Sequence, residues 1–169
     1  MKVLLALCIC ACALAQPTKP VDVPRLLTER GVKSARAFAD VYQKFKDAAS
    51  AIPSASEDME NAIFCAKRPS AICATSPGAA FRDFERARFD LRFRHFLAVE
   101  AYEEMCNDIL NEAFMKPSPL ALSNRENQAI QAYLETARSD LRQSFAAAER
   151  RWQKTWRWVE KFVDRRRLG

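Results

Sequence analysis

The stretch of sequence that decides the fold runs from Ile130 to Val163 and reads IQAYLETARSDLRQSFAAAERRWQKTWRWVEKFV. Its apolar residues recur at steps of four, three and four residues. They are Ile130, Leu134, Ala137, Leu141, Phe145, Ala148, Trp152, Trp156, Val159 and Val163. Because this repeat corresponds to about 3.67 residues per turn, it predicts one long helix with a nearly straight apolar stripe. The capping-box pattern Ser123-Asn124-Arg125-Glu126 predicts the start of this helix, which we expect to continue to about Arg166.

A second long helix is predicted from Ala79 to Met115, a stretch without proline or glycine that follows the turn signal Ser76-Pro77-Gly78. It contains two apolar stripes, which predict that it is the central and most buried helix. One stripe consists of Phe89, Phe93, Phe96 and Leu97, and the other of Phe84, Leu91, Ala98, Tyr102, Met105 and Ile109. Residues 89–93 also alternate like a strand, but no turn or partner strand accompanies them, so a helix is favoured.

Two shorter helices are predicted upstream of these. Apolar residues at helical spacing indicate a first helix over about residues 32–52, ended by Pro53. The capping-box pattern Ser54-Ala55-Ser56-Glu57 then predicts a second helix that ends near Ala66. Its inward side chains are expected to be Met59, Ile63 and Phe64.

These elements predict an all-α fold, an antiparallel bundle of three to four helices dominated by the two long C-terminal helices. A short loop with Pro117 and Pro119 joins the long helices, so they should pack antiparallel. If the chain reverses its direction at residue 119, residue 100 lies near residue 138, residue 90 near residue 148 and residue 82 near residue 156. We therefore expect one bundle domain at residues 32–169, preceded by an extended, proline-containing segment at 16–31.

The first fifteen residues have the pattern of a secretory signal peptide. Lys2 precedes an apolar run that ends in the small-residue triplet Ala13-Leu14-Ala15. The run is about twelve residues long, whereas a helix that crosses a bilayer needs about 20. We therefore expect a secreted, extracellular protein that starts at Gln16 and has no transmembrane segment.

Three cysteines follow the predicted leader, an odd number for an oxidising compartment. Cys65 and Cys73 are close in sequence and are expected to form a disulfide. Cys106 is then left as a buried thiol or as the intermolecular link of a homodimer.

The charges are unevenly distributed along the chain. The formal net charge is +6, and residues 150–169 contain eight basic and two acidic residues. In the predicted register this segment lies beside the arginines of the middle helix, while acidic residues gather at the opposite end of the bundle. Pairs within the helix, such as Arg86 with Asp90 and Asp90 with Arg94, are one explanation of those arginines. The other explanation is a basic pole that meets an anionic ligand or the acidic pole of another copy.

No recognisable motif for catalysis or metal binding is present in the sequence. His95 is the only histidine and has no serine or cysteine nucleophile in a known pattern, so we interpret it as structural. A group of acidic residues and one cysteine resembles a metal cluster but lacks the Glu-x-x-His pattern of di-iron bundles. This group consists of Glu100, Glu103, Glu104, Cys106 and Asp108. We expect a solvated acidic face, no cofactor and no enzymatic activity.

The remaining cluster is the segment from Arg150 to Val163, in which all three tryptophans alternate with cations. Trp152 and Trp156 fit the core stripe, whereas Trp158 lies off it. Exposed aromatic rings among cations suit an anionic lipid surface or a sulfated polysaccharide. Secretion argues against nucleic acid as the partner. The residues expected to bind the anionic partner are Arg150, Arg151, Lys154, Arg157, Trp158, Lys161, Arg165, Arg166 and Arg167.

The sequence thus predicts a secreted, non-enzymatic binding protein that engages an anionic surface or another protein through this basic, tryptophan-rich pole. An apolar ligand carried between the helices is a variant of this function. The side chains expected to line its site are Phe38, Phe45, Phe84, Phe89, Phe93, Phe96 and Phe145. Two alternatives stay open. One is a membrane-active defence protein whose cationic C-terminal helix is released by cleavage at Arg150-Arg151, and the other is a structural extracellular oligomer.

Overall fold

Four α-helices form the part of the chain that the computed structural model describes, residues 20–68, 75–114 and 122–167. They are α1 (Val23–Glu29), α2 (Ser34–Ala66), α3 (Pro77–Phe114) and α4 (Asn124–Arg167). The helix α2 packs against both α3 and α4, and the short α1 lies against α2 and α4. This arrangement confirms the all-α bundle. Within the described ranges no strand forms, and residues 89–93 are helical.

The helix α1 corrects the expectation of an extended segment at 16–31, because residues 23–29 are helical. Asp22 caps it, since its carboxylate accepts a hydrogen bond from the backbone N–H of Arg25 at 3.2 Å. Pro24 lies in the first turn, where a missing N–H costs nothing. Leu27 is fully buried, so α1 is anchored by packing as well as by its cap. Residues 16–19, together with the predicted leader, lie outside the described residues.

The helix α2 continues through Pro53, so the expected break at this residue and the separate helix after it are wrong. A proline inside a helix costs about 3 kcal/mol because it removes one backbone hydrogen bond and crowds the preceding turn. Ile52 and Met59 are buried on either side of it, and each such side chain contributes about 1.5–3 kcal/mol when buried. Packing therefore outweighs the local cost. Ile63 is buried as expected, whereas Phe64 points outward with 55% of its surface exposed.

The two long C-terminal helices match the predicted bounds to within two residues. The predicted capping box opens α4, because Ser123 and Glu126 each accept a hydrogen bond from the other's backbone N–H. The antiparallel register is also confirmed. The Tyr102 hydroxyl reaches the carbonyl of Leu134 at 3.4 Å, and near the other end Phe81 lies 5.9 Å from Trp156 between ring centroids. The latter pair lies one residue from the predicted pairing of 82 with 156.

The prediction that the middle helix is the most buried one is wrong, because only one of its two apolar stripes faces the core. Phe84 and Leu91 of the second stripe are fully buried. The first stripe faces solvent, with exposed fractions of 72% for Phe89, 46% for Phe93 and 56% for Phe96. The physical reason is the continuity of α2: without a separate second helix there are three long helices, and none of them covers this side of α3. The central position belongs to α2, which contacts all three of the other described helices.

Candidate anion-binding surface

One end of the bundle brings together the C-terminal turns of α2, the first turns of α3 and the C-terminal turns of α4. The junction of α2 with α4 is held by Glu60, which accepts a hydrogen bond from the hydroxyl of Thr155 at 2.7 Å. The same carboxylate pairs with the guanidinium of Arg151 at 3.0 Å. Because Thr155 is fully buried, this contact fixes the terminal third of α4 against α2.

Four of the predicted anion-binding cations lie on the solvent side of α4. They are Arg150, Lys154, Arg157 and Lys161, which follow one another at steps of four, three and four residues and are all exposed. Arg151 differs from them, because it is half-buried and paired with Glu60. The backbone of α4 continues in a helix to Arg167, but the side chains of Arg165, Arg166 and Arg167 lie outside the described residues.

Two of the three tryptophans belong to the core, as the apolar stripe predicted. The ring of Trp152 stacks on Phe84 and on Trp156, each at 5.1 Å between centroids. The guanidinium of Arg88 lies 3.6 Å above the centre of the Trp152 ring, which is a close cation–π contact. This stack joins α3 to α4 directly behind the basic surface.

Trp158 is the tryptophan that faces solvent, with 48% of its surface exposed. The ammonium group of Lys67, at the C-terminal end of α2, lies 5.9 Å from the centre of its ring. One residue further along, the guanidinium of Arg68 lies 4.2 Å from the ring of the exposed Phe64. We call these exposed aromatic and basic side chains the basic pole. It consists of Phe64, Lys67, Arg68, Arg150, Lys154, Arg157, Trp158 and Lys161.

The α2 contribution to the basic pole was missed from the sequence. Phe64 was expected inside the bundle, and Lys67 and Arg68 belonged to no predicted cluster. These residues come close to Trp158 because α2 packs parallel to α4. One contact between the two helices is the hydrogen bond that the Tyr42 hydroxyl donates to the carboxylate of Asp140 at 2.5 Å. Advancing both helices from that contact by about twenty residues brings the end of α2 beside Trp158. The separate second helix that we expected from residue 54 concealed this alignment.

Behind the basic pole, Glu149 links α4 to α3 through two arginines. Arg92 donates two hydrogen bonds to its carboxylate, at 2.7 and 3.2 Å, and the guanidinium of Arg88 lies 3.6 Å away. Burial alone would raise the pKa of Glu149, but the hydrogen bond and charge of Arg92, with the charge of Arg88, outweigh it and lower the pKa. The arginines of α3 are thus partly held by pairing between helices. The expected pair of Arg94 with Asp90 is also present, at 3.1 Å.

His95 contacts α4 through both its ring nitrogen and the face of its ring. Its Nε2–H donates to the backbone carbonyl of Leu141 at 2.8 Å, and its ring stacks on Phe145 with 3.9 Å between centroids. Burial lowers the pKa of His95, and the hydrogen bond to Leu141 opposes this effect only in part. The imidazole therefore favours its neutral form, consistent with the structural role predicted for it.

The acidic residues at the opposite end make separate contacts rather than converging on one point. Asp108 accepts a hydrogen bond from the hydroxyl of Ser34 at 2.6 Å, and Glu126 meets Arg30 at 3.4 Å. Over residues 20–68, 75–114 and 122–167, no group of three or more histidine, cysteine or acidic side chains is placed to hold a metal ion.

The cysteines are only partly covered by the structure. Cys65 takes part in a disulfide, while Cys73 lies outside the described residues, so the pairing of the two stays a prediction. Cys106 is a half-buried free thiol. Burial raises the pKa of the Cys106 thiol, and a hydrogen bond with Tyr102 opposes this shift only in part. A thiol with a raised pKa is a poor nucleophile at neutral pH, which weakens the case for an intermolecular disulfide at this position.

The phenylalanines expected to line an apolar ligand site do not surround a common space. Phe38, Phe45 and Phe84 are fully buried in the core. Phe38 packs its ring against Tyr42 at 5.3 Å and Tyr102 at 5.6 Å between centroids. The three exposed rings of α3 point the other way, to solvent. The geometry therefore assigns part of this set to ordinary core packing and part to the surface.

Comparisons with known proteins leave the site to be interpreted from its own geometry. The chain matches no protein-family model, no curated protein and no solved structure. Among the described helices, none combines the length and the apolar character that a bilayer-spanning segment requires.

Proposed function

We propose that this protein is a secreted, non-enzymatic helical-bundle protein whose basic pole docks on an anionic lipid surface. The observation that supports this most directly is the exposed Trp158, with Lys67 beside its ring at the end of the bundle. Tryptophan is enriched at the interface between lipid and water, where its ring lies at the level of the headgroups. A cation next to such a ring meets the lipid phosphate at the same depth.

The charge of the basic pole suits this partner in magnitude. Near an anionic leaflet each lysine or arginine contributes about 1 kcal/mol, so the six cations of the pole supply about 6 kcal/mol, of which the exposed Glu160 offsets about 1 kcal/mol. Dissociation constants of 1 mM and 1 μM correspond to about 4.1 and 8.2 kcal/mol, respectively. The electrostatic attraction alone therefore gives an affinity between these values, and the rings of Phe64 and Trp158 add to it. The acidic residues at the far end of the bundle, such as Glu103 and Glu104, favour an orientation in which that end points away from the membrane.

Two features of the structure weigh against the release of a defence peptide and the carriage of an apolar ligand. Trp152, Thr155 and Val159 are buried, so release of the C-terminal helix as a defence peptide would remove part of the core. The phenylalanines predicted to line a site for an apolar ligand do not form one, because some of them are buried in the core and others are exposed on the surface. A sulfated polysaccharide offers the same anionic chemistry as a lipid headgroup but gives the exposed rings no apolar phase to enter.

The proposal is tested by co-sedimentation of the full-length secreted protein with vesicles of phosphatidylcholine alone and of phosphatidylcholine mixed with phosphatidylserine. We expect binding to the anionic vesicles only, weakened by salt. The double variant Lys67→Glu/Arg157→Glu should lose at least about tenfold in affinity, since two attractive charges become repulsive. The matched control Arg36→Glu/Lys44→Glu makes the same charge change at exposed positions of α2 outside the pole and should lose less than about twofold.

The variant Trp158→Ala separates lipid from polysaccharide. On a lipid surface it should weaken binding even at high salt, because the ring enters the apolar phase. Equal binding to neutral and anionic vesicles, or an equal loss in both double variants, would contradict the proposal. Retention on a heparin column without vesicle binding would favour a sulfated polysaccharide instead. N-terminal sequencing of the secreted protein tests the leader, with Gln16 as the expected first residue.

A further inference from the structure

The outer face of α3 has a regular pattern that the core and the basic pole do not use. Its exposed positions follow one another at alternating steps of four and three residues from Arg82 to Leu110. We call this set the outer seam. It consists of Arg82, Arg86, Phe89, Phe93, Phe96, Glu100, Glu103, Asn107 and Leu110. A strict alternation of three and four is the heptad spacing by which one helix packs along another in a left-handed coiled coil.

The centre of the outer seam is apolar and large. The exposed fractions of Phe89, Phe93 and Phe96 together correspond to about 350 Å² of aromatic surface, taking roughly 200 Å² for one fully exposed side chain. The rings of Phe89 and Phe93 stack on each other at 6.4 Å between centroids, so they form one continuous patch. A contiguous patch of this size is at the scale of the functional patches found on soluble proteins.

The charges on either side of the aromatic patch have opposite signs. Arg82 and Arg86 precede it, whereas Glu100 and Glu104 follow it, and all four side chains are exposed. Their positions are symmetric about Phe93. Arg86 and Glu100 each lie seven residues from Phe93, about 10.5 Å along the helix, and Arg82 and Glu104 each lie eleven residues away, about 16.5 Å.

We propose that the partner of the outer seam is a second copy of this chain, packed antiparallel across α3 with a two-fold axis close to Phe93. That axis places Arg86 opposite Glu100 of the second copy and Arg82 opposite Glu104 of the second copy. Each contact occurs twice, as the isologous interface of a two-fold dimer requires. A parallel arrangement would instead place like charges together, so the charge pattern selects the antiparallel one.

The same charges disfavour the other partners for this face. An anionic lipid surface would repel Glu100 and Glu103, which belong to the outer seam, and the exposed Glu104 beside them. The proposed dimer also differs from one linked through Cys106. That thiol is half-buried on the side of α3 where the hydroxyl of Tyr102 reaches the Leu134 carbonyl of α4, so it lies away from the outer seam.

The test is sedimentation equilibrium of the full-length protein under reducing conditions, from micromolar to submillimolar concentration. We expect a reversible equilibrium between monomer and dimer. Phe93→Asp should abolish the dimer while the helix content, measured by circular dichroism, stays unchanged, because the replaced ring is exposed. Phe64→Asp is the matched control, since it makes the same change at an exposed phenylalanine of α2, and it should leave the equilibrium as it is.

Charge reversal tests the antiparallel register. Arg86→Glu and Glu100→Arg should each weaken dimerisation by about tenfold, because each creates two repulsive contacts. The double variant Arg86→Glu/Glu100→Arg should restore it, since both opposite-charge contacts re-form with their signs exchanged. A failure of this double variant to recover would overturn the antiparallel register. A monomer throughout the concentration range, or a dimer unaffected by Phe93→Asp, would overturn the dimer itself, as would vesicle binding by a monomer that is lost on Phe93→Asp.

Discussion

Replacing Glu149 by glutamine should destabilise the bundle without altering its shape. The amide retains one hydrogen bond with Arg92 but removes the negative charge that faces both Arg92 and Arg88. Breaking a buried ion pair typically costs 3–5 kcal/mol, and a hydrogen bond to a charged group contributes about 1.5–3 kcal/mol. The side chain of Arg92 is 54% exposed and can turn to water, so the cost falls below that of a fully buried pair and within the range for a hydrogen bond to a charged group. We expect a loss of about 2 kcal/mol in the free energy of unfolding, or about 4–8 °C in melting temperature.

The assay is urea unfolding followed by circular dichroism at neutral pH, for Glu149→Gln, Arg92→Ala and the double variant. The losses of unfolding free energy in the two single variants should not add up in the double variant. Because both changes remove the same interaction, the double variant should lose at least about 1 kcal/mol less than the sum of the two single losses. The control Glu135→Gln makes the same chemical change at an exposed position of α4 and should cost less than about 0.5 kcal/mol. An additive double variant, or a Glu149→Gln protein as stable as the control, would refute the role given to this ion pair.

The pH dependence has a defined sign for this carboxylate. Because its pKa is lowered in the folded state, its contribution is present above about pH 4.3, the ordinary pKa of a glutamate, and is lost as the pH falls through the folded value. The stability difference between the wild type and Glu149→Gln should therefore shrink on acidification.

Three further predictions concern the fold. Pro53→Ala should raise the free energy of unfolding by about 1–3 kcal/mol in urea titrations, since the proline lies inside a continuous helix; a loss of stability would mean that the ring has a packing role. Phe84→Ala should cost about 3–5 kcal/mol, whereas Phe89→Ala should change stability by less than about 0.5 kcal/mol in the same assay, and similar costs for both would contradict their assigned burial. His95 has a lowered pKa, so the unfolded chain binds its proton more readily, and stability should begin to fall below about pH 6.5; a His95→Gln variant with an unchanged profile between pH 7 and 5 would exclude this contribution.

The sequence predicted those parts of the fold that depend on regular patterns. The eleven-residue repeat and the capping box at Ser123 determine the position of α4, and the short loop before it determines the antiparallel register with α3. These features are local or follow from chain connectivity, so they are visible in one sequence. The pairing of Arg92 with Glu149 was missed because it joins residues 57 positions apart, and many combinations of charges satisfy the same register.

The errors have a common physical source, namely that local signals competed with packing. Pro53 is a strong helix breaker in isolation, but the buried Ile52 and Met59 hold α2 together across it. The burial of the α3 stripe was wrong for a related reason: a separate short helix after residue 54 could have packed on that side of α3, whereas the continuous α2 leaves Phe89 and Phe93 exposed. The α4 half of the basic pole was predicted from the alternation of tryptophan with cations. Its α2 half required the parallel alignment of two helices that are distant in sequence.

The contact of Glu60 with Arg151 and Thr155 also determines how this protein responds to proteases. A trypsin-like enzyme binds its substrate as an extended strand, so the dibasic site at Arg150 and Arg151 can be cut only after several residues of α4 unwind. Unwinding there must break the Glu60 contacts and expose Trp152 to water. The rate of cleavage should therefore follow the free energy of local opening rather than the presence of two adjacent arginines. In the folded protein a site that looks accessible in the sequence is protected, and its digestion reports on how firmly the C-terminal third of α4 is held.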